Sequence, residues 1–274
     1  MAIKAADVKK LREMTGAGMM DCKKALTETD GDFDAAVEII RKKGQAMASK
    51  RADRETTEGC TLAKVSADGK KGAVIILKCE TDFVGKNESF VALADSILEA
   101  ALNSDAATKE DILDLQLNGV VIKEVITEQI GVIGEKIEIA DYSVVNAETV
   151  VPYIHPGNQL SVVVGFNQAG FDVQVGKDVA MQVAAMAPVS VDKDSVPAEI
   201  VESELRIGKE KAREEGKPEA MLDKIAEGRL GKFFKESTLL EQAFVKDNKQ
   251  SIKQYLNAAS NGLTVTEFKR FSLS

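Results

Sequence analysis

The sequence predicts an α+β fold in three parts: a small helical bundle, a core of two related α/β halves with antiparallel sheets, and a protruding helical hairpin. Three observations predict it. Residues 5–44 carry apolar side chains at helical spacing. Two β-rich runs, 73–79 and 160–166, each lead through a loop into a helix with a small-residue face. Residues 195–234 are helical in pattern but densely charged, with a break at Gly216-Lys217-Pro218.

In the bundle, Val8, Leu11 and Arg12 lie at helical spacing, and Thr15-Gly16-Ala17-Gly18 interrupts the helix. The helix restarts at Met19. Asp30-Gly31-Asp32 reads as a turn whose Asp32 caps a third helix. There Phe33, Ala36, Val37 and Ile40 share one face, and Arg41-Lys42-Lys43 before Gly44 predicts the helix end. Residues 45–58 turn polar and read as a helical or extended linker.

In the core, the first β-run passes through Glu80-Thr81-Asp82-Phe83-Val84-Gly85 into a helix over 89–102, with Phe90, Ala94, Ile97 and Ala101 inward. The second passes through 167–171 into a helix over 177–186, with Val179, Val183, Ala184 and Ala187 inward. Strand-like runs at 136–139 and 142–145 lie between them. The similarity of the passages predicts a duplicated α+β unit. In the hairpin, Ile200, Val201, Leu205, Ala212, Met221, Leu222, Ile225 and Leu230 form the apolar stripe. A helix over 251–259 and a strand over 264–273 close the chain.

Composition narrows the function. Of 274 residues, 44% are hydrophobic, enough for a sizeable core. Acids outnumber bases 44 to 36, so the net charge is −8 and no direct nucleic-acid binding is expected. No apolar run is long enough to cross a bilayer, so no membrane role is expected. Met1-Ala2-Ile3-Lys4 has no apolar leader character, and Asp7 and Glu13 argue against a transit peptide. The cysteines, Cys22, Cys60 and Cys79, have neither disulfide-framework nor zinc-site spacing, which predicts a reducing cytoplasm. The single histidine, His155, rules out a metal site with several His ligands. No cofactor, metal site or covalent chemistry is expected.

Two near-motifs fail. Asp30, Asp32 and Asp34 begin like a calcium loop, but Ala35 and Arg41 stand where glycine and glutamate are required. Residues 170–178 imitate a phosphate loop with one residue too many and Asp178 in place of the hydroxyl. The informative segment is Thr81-Asp82-Phe83-Val84. Two readings stand: Phe83 tucked under the following helix, or Phe83 presented to a partner's pocket by a rigid loop.

Residues 15–26, Thr-Gly-Ala-Gly-Met-Met-Asp-Cys-Lys-Lys-Ala-Leu, closely resemble the N-terminal signature of the bacterial elongation factor Ts family. Thr81-Asp82-Phe83-Val84 resembles that family's second signature, and the similarity continues through Glu227-Gly228-Arg229-Leu230 to the last strand. The resemblance implies a translation elongation factor: the guanine nucleotide exchange factor for the GTPase elongation factor Tu. It implies a ubiquitin-associated-like bundle with linker at 1–54. Core subdomains follow at 55–141 and 142–274, the second carrying a coiled-coil hairpin at about 195–233. It places Lys9, Arg12, Met19 and Met20 on the partner's nucleotide-binding domain. It makes Phe83, with Thr81, Asp82 and Val84, the element that intrudes on the partner and disturbs its Mg2+ and nucleotide site. The Mg2+ belongs to the partner's nucleotide.

Within that reading, Met19 and Met20 cannot both face inward on one helix, so at least one is expected at the surface. His155 is either a turn histidine or a partner contact. Some family members carry a further helix after the last strand; the sequence here ends at Ser274, so no contact through such a helix is expected. The competing functions are a small-molecule enzyme, for which no convergent titratable groups can be assembled, and a peptide-binding scaffold or chaperone-like module.

Overall fold

A computed structural model describes residues 3–273. The leader reading from Met1 and Ala2 and the chain end at Ser274 lie outside the described residues. The fold is a mixture of helices and small antiparallel sheets.

The chain opens with α1 (Ala5–Thr15), α2 (Met19–Glu28) and α3 (Phe33–Arg51). Leu11, Cys22, Ala25, Leu26 and Ala36 fill the space between them. Gly16 ends α1 in the left-handed region, with its N–H on the Arg12 carbonyl at 2.8 Å. The Asp32 carboxylate caps α3 by accepting from the Asp34 and Ala35 amides.

Gly44 does not end α3. The helix runs on through it to Arg51, because Gly44 serves a helix crossing rather than a cap. A Cβ on Gly44 would lie 3.1 Å from the Thr127 carbonyl oxygen of a later helix. The continuation carries Met47 and Ala48 against the first half of the core.

That half contains β1 (Glu58–Val65), β2 (Lys71–Cys79), α4 (Asp82–Gly85) and α5 (Glu88–Leu102). It continues with α6 (Lys109–Leu113), β3 (Gln116–Leu117), β4 (Val120–Val121), α7 (Ile122–Ile133) and β5 (Glu138–Asn146). The strand order is β1-β2-β5, all antiparallel. The runs at 136–139 and 142–145 merge into β5, whose register shifts opposite Ile76 and Leu77.

The second half contains β6 (Thr149–Ile154), β7 (Leu160–Phe166), α8 (Val173–Met186), α9 (Ala198–Glu214) and α10 (Leu222–Ser237). β8 (Ala243–Phe244), β9 (Asp247–Ser251), α11 (Ile252–Ala259) and β10 (Val265–Ser272) complete it. Its sheet runs β6-β7-β10, again antiparallel. Each half is thus a hairpin, a helix, and a third strand returning beside the hairpin's second. Ala187, placed inward by the pattern, is instead the exposed left-handed residue that ends α8.

The two sheets meet through Ala63, Val74, Val145, Val150 and Val163. Their fit is crossed. Gly72 pairs with Val145 in its own sheet and receives Val150 from the other. Gly165 pairs with Val150 and receives Val145, which would stand 2.8 Å from a Cβ there. A glycine at each point admits a valine across the interface at native packing density.

Helices α9 and α10 pack chiefly on each other. Gly208, Ala212, Leu222 and Ala226 form the buried seam, and Gly216, at φ 73°, makes the turn between them. Arg213–Glu219 and Arg229–Glu215 pairs at 2.8 and 2.7 Å, with Lys209–Asp223, lace the outside. Among the described residues no helix is long and apolar enough to cross a membrane.

Candidate functional site

The Phe83 segment begins where β2 ends. Cys79 is buried, and its thiol donates to the Thr81 carbonyl at 3.2 Å. Thr81 is extended, and α4 is one helical turn closed by the Gly85 amide on the Thr81 carbonyl at 3.1 Å. Gly85 rests on β1; a Cβ there would lie 2.8 Å from the Gly59 carbonyl oxygen. Asn87 then caps α5 by accepting from the Ser89 amide. The turn is fixed at both ends and seated on the sheet beneath it.

Successive side chains on a helical turn point about 100° apart. Here Val84 turns inward against the first-half core, and Phe83 turns out to 85% exposure. An exposed phenylalanine forgoes roughly 1.5–3 kcal/mol of burial free energy. Phe83 is therefore presented rather than tucked under α5. Asp82 pairs with Lys86 at 2.7 Å, and that hydrogen-bonded ammonium holds its carboxyl below the usual carboxylate range.

Two carboxylates hold the segment at its root. Glu135 follows Gly134, the left-handed residue ending α7, and faces back along the loop. Its carboxylate accepts from the Glu80 amide at 3.1 Å, the Thr81 amide at 3.0 Å and the Thr81 hydroxyl at 2.6 Å. Glu80 reciprocates by accepting from the Lys136 amide at 2.7 Å, and pairs with Arg51 of α3 at 2.7 Å. Burial raises the Glu80 pKa, but the Lys136 amide and the Arg51 guanidinium outweigh it and leave the carboxyl below its ordinary value. None of Arg51, Glu80 and Glu135 stands out in the sequence, because their partners lie far along the chain.

The other predicted residues occupy separate places. Met19 and Met20 are both exposed, at 46% and 74%, so neither fills the bundle core; Met14 joins them at 56%. Arg12 is exposed, and Lys9 forms a loose pair with Glu13 on the same helix. His155 opens the β6–β7 turn, accepting the Asn158 amide on its carbonyl, and its exposed ring lies 3.0 Å from the Tyr153 hydroxyl. Asn158 ties that turn to the Thr61 amide of β1. The structure thus gathers Thr81, Asp82, Phe83 and Val84 into one turn. Lys9, Arg12, Met19 and Met20 stay on the bundle, and His155 on a hairpin tip. Among the described residues no group of three or more His, Cys, Asp or Glu is arranged to hold a metal ion.

A family model described as "Elongation factor TS" matches residues 80–274. A protein named Elongation factor Ts from Amoebophilus asiaticus is 55% identical over 272 residues, covering 98% of each chain. One from Azobacteroides pseudotrichonymphae is 52% identical over 276 residues, covering 100% of this chain and 99% of its own. A third, from Porphyromonas gingivalis, is 52% identical over 277 residues with the same coverage. With similarity of this extent over the whole length, the chain belongs to the elongation factor Ts family.

Proposed function

We propose that this chain is a translation elongation factor that promotes GDP release from elongation factor Tu, with Phe83 as the intruding side chain. The observation that carries this reading is the 85% exposure of Phe83 on a backbone held by fixed hydrogen bonds. Burial of that ring in a partner favours whichever partner state offers the pocket. If the nucleotide-free state offers it, GDP and this chain weaken each other's binding by the same factor. A ligand indifferent to the two states would shift nothing. The action is binding coupled to release, without covalent chemistry, and the Mg2+ it disturbs is the partner's.

In this reading the exposed methionines of α2, with Lys9 and Arg12, dock on the nucleotide-binding domain. Methionine suits that task because its unbranched thioether adapts to irregular surfaces. His155 supplies a further contact from its hairpin tip. The bundle is ubiquitin-associated-like and belongs to a unit over 1–54; the two core subdomains join between β5 and β6, so the boundary expected at 141/142 moves to follow Asn146, because β5 completes the first sheet. The α9–α10 hairpin is a coiled coil that reaches a second part of the partner. The place of action is the cytoplasm, where translation proceeds.

The test is fluorescent GDP release from elongation factor Tu with wild type and Phe83→Ala, beside a thermal melt. The variant should melt within about 0.5 kcal/mol of wild type, as exposed sites do. Stimulated release should fall roughly 10–100-fold, the equilibrium worth of one buried phenylalanine. Wild-type release with a collapsed melt defeats the reading.

A further inference from the structure

Phe83 is 85% exposed, so its outward aim is set by the backbone that carries it rather than by packing of the ring. That backbone is held by a reciprocal clasp. The Glu135 carboxylate takes both free amides at the root, Glu80 and Thr81, together with the Thr81 hydroxyl. The Glu80 carboxylate takes the Lys136 amide in return. Each segment caps the other's unpaired N–H groups, and both carboxylates are involved in short, charge-assisted bonds. Thr81 is the residue whose carbonyl closes α4, through the Gly85 amide. Fixing Thr81 therefore fixes the rotation of the turn that carries Phe83.

We propose that Glu135 is a positioning residue for nucleotide exchange: it aims Phe83 by locking Thr81. Arg51 extends the clasp to the bundle, since its guanidinium holds the Glu80 carboxylate at 2.7 Å. The bundle helix α3 and the intruding turn are thereby joined through two side chains. The proposal rests on the reading that Phe83 intrudes on elongation factor Tu, and it adds the residue that makes the intrusion directional.

Glu135→Gln tests it. The amide keeps the shape but removes the charge that strengthens all three bonds, and leaves one accepting oxygen where the carboxylate offered two, so the hold on Glu80 and Thr81 is weakened. The expected results are a loss of about tenfold in stimulated GDP release, a melt close to wild type, and faster hydrogen exchange at the Glu80 and Thr81 amides alone. In a Phe83→Ala background, Glu135→Gln should cost nothing further, because a residue that acts only through Phe83 has nothing left to aim. A merely structural glutamate would add its loss in both backgrounds and lower the melt. Thr81→Val removes only the hydroxyl bond and should shift release in the same direction by less, which keeps the test decisive if Glu135→Gln folds poorly. Wild-type release in either variant, or unchanged protection of the Thr81 amide in Glu135→Gln, overturns the positioning role while Phe83→Ala still separately decides the intrusion. Wild-type release by Phe83→Ala itself overturns both.

Discussion

Gly44 and Gly131 touch backbone to backbone where α3 crosses α7: a Cβ built on Gly131 would lie 2.7 Å from the Gly44 Cα. Neither helix can shift away freely. α3 is also held by Arg51 on Glu80, and Arg41 pairs with Glu128 of α7 at 2.8 Å. Gly131→Ala is therefore a clash rather than a helix improvement. Alanine gains up to about 1 kcal/mol in helix propensity, but overpacking costs about 1–3 kcal/mol. A net loss of about 1–2 kcal/mol in urea unfolding is expected. Gly228→Ala on α10, with nothing within 4 Å of a Cβ, is the control and should gain about 0.5–1 kcal/mol.

Asp82 sits one residue before Phe83 and is engaged only by its own turn, through Lys86. Asp82→Ala should leave the melt unchanged and slow stimulated GDP release. Combined with Phe83→Ala, the loss should be less than the product of the single losses, because both act within one turn. Measured release rates of the two single variants and the double variant decide it; a full product would show that Asp82 acts separately.

The Glu80 carboxyl gives a pH dependence of definite sign. Its folded-state pKa lies below its ordinary value of 4.5, so its charged form stabilises the fold. That contribution is fully present above the unfolded pKa and is lost as pH falls through the folded one. The difference in melting temperature between wild type and Glu80→Gln should be constant from pH 7 to about 5 and shrink below about 4. A difference that grows on acidification would contradict this assignment.

Burial pushes the Cys60 and Cys79 thiols up to about 12, aided at Cys60 by its neighbour Cys79 and at Cys79 by the charge of Glu135. Only the thiolate reacts with alkylating agents. At pH 8 the thiolate fraction at these two sites is on the order of 10⁻⁴. Iodoacetamide followed by peptide mass spectrometry should find both unlabelled in the native protein and labelled in urea. Rapid native labelling would mean that the first-half core opens locally.

Removing residues 198–232 and bridging the gap with a short flexible linker should leave the two-sheet core folded. The buried seam of α9 and α10 is internal to the pair, and their charge pairs link them mainly to each other. The melting temperature should fall by only a few degrees. A loss of cooperative unfolding would show that the hairpin belongs to the core.

The bundle, the two strand–helix passages and the hairpin were legible because each shows its period within a short window. Phe33, Ala36, Val37 and Ile40 mark α3, and the break at Gly216 marks the hairpin turn. That at least one of Met19 and Met20 faces outward follows from helical geometry; that both do depends on how α2 packs in the bundle. Other features leave no local pattern, for several physical reasons. In β1, Cys60, Thr61, Leu62 and Ala63 are all buried, so no alternation betrays the strand. α7 is the exception, since Ile122, Ile126 and Ile130 repeat every four residues and mark its buried face. Gly44 has the composition of a cap but the environment of a crossing, and only the partner helix distinguishes the two. The Glu135 clasp joins residues 54 and 55 positions apart, a pairing that no local pattern encodes.

The crossed fit of Gly72 with Val150 and Gly165 with Val145 bears on how such chains can be recombined. Each half supplies one vacancy and one plug to the other, so neither surface is complementary by itself. A chimera taking its first half from one relative and its second from another will assemble only where a small residue still faces a branched one at both crossings. Enlarging Gly72 should be rescued by shrinking Val150, and not by any change at Val145, its own neighbour in the sheet. Covariation across the interface is thus expected to run diagonally, between halves, along two independent pairs.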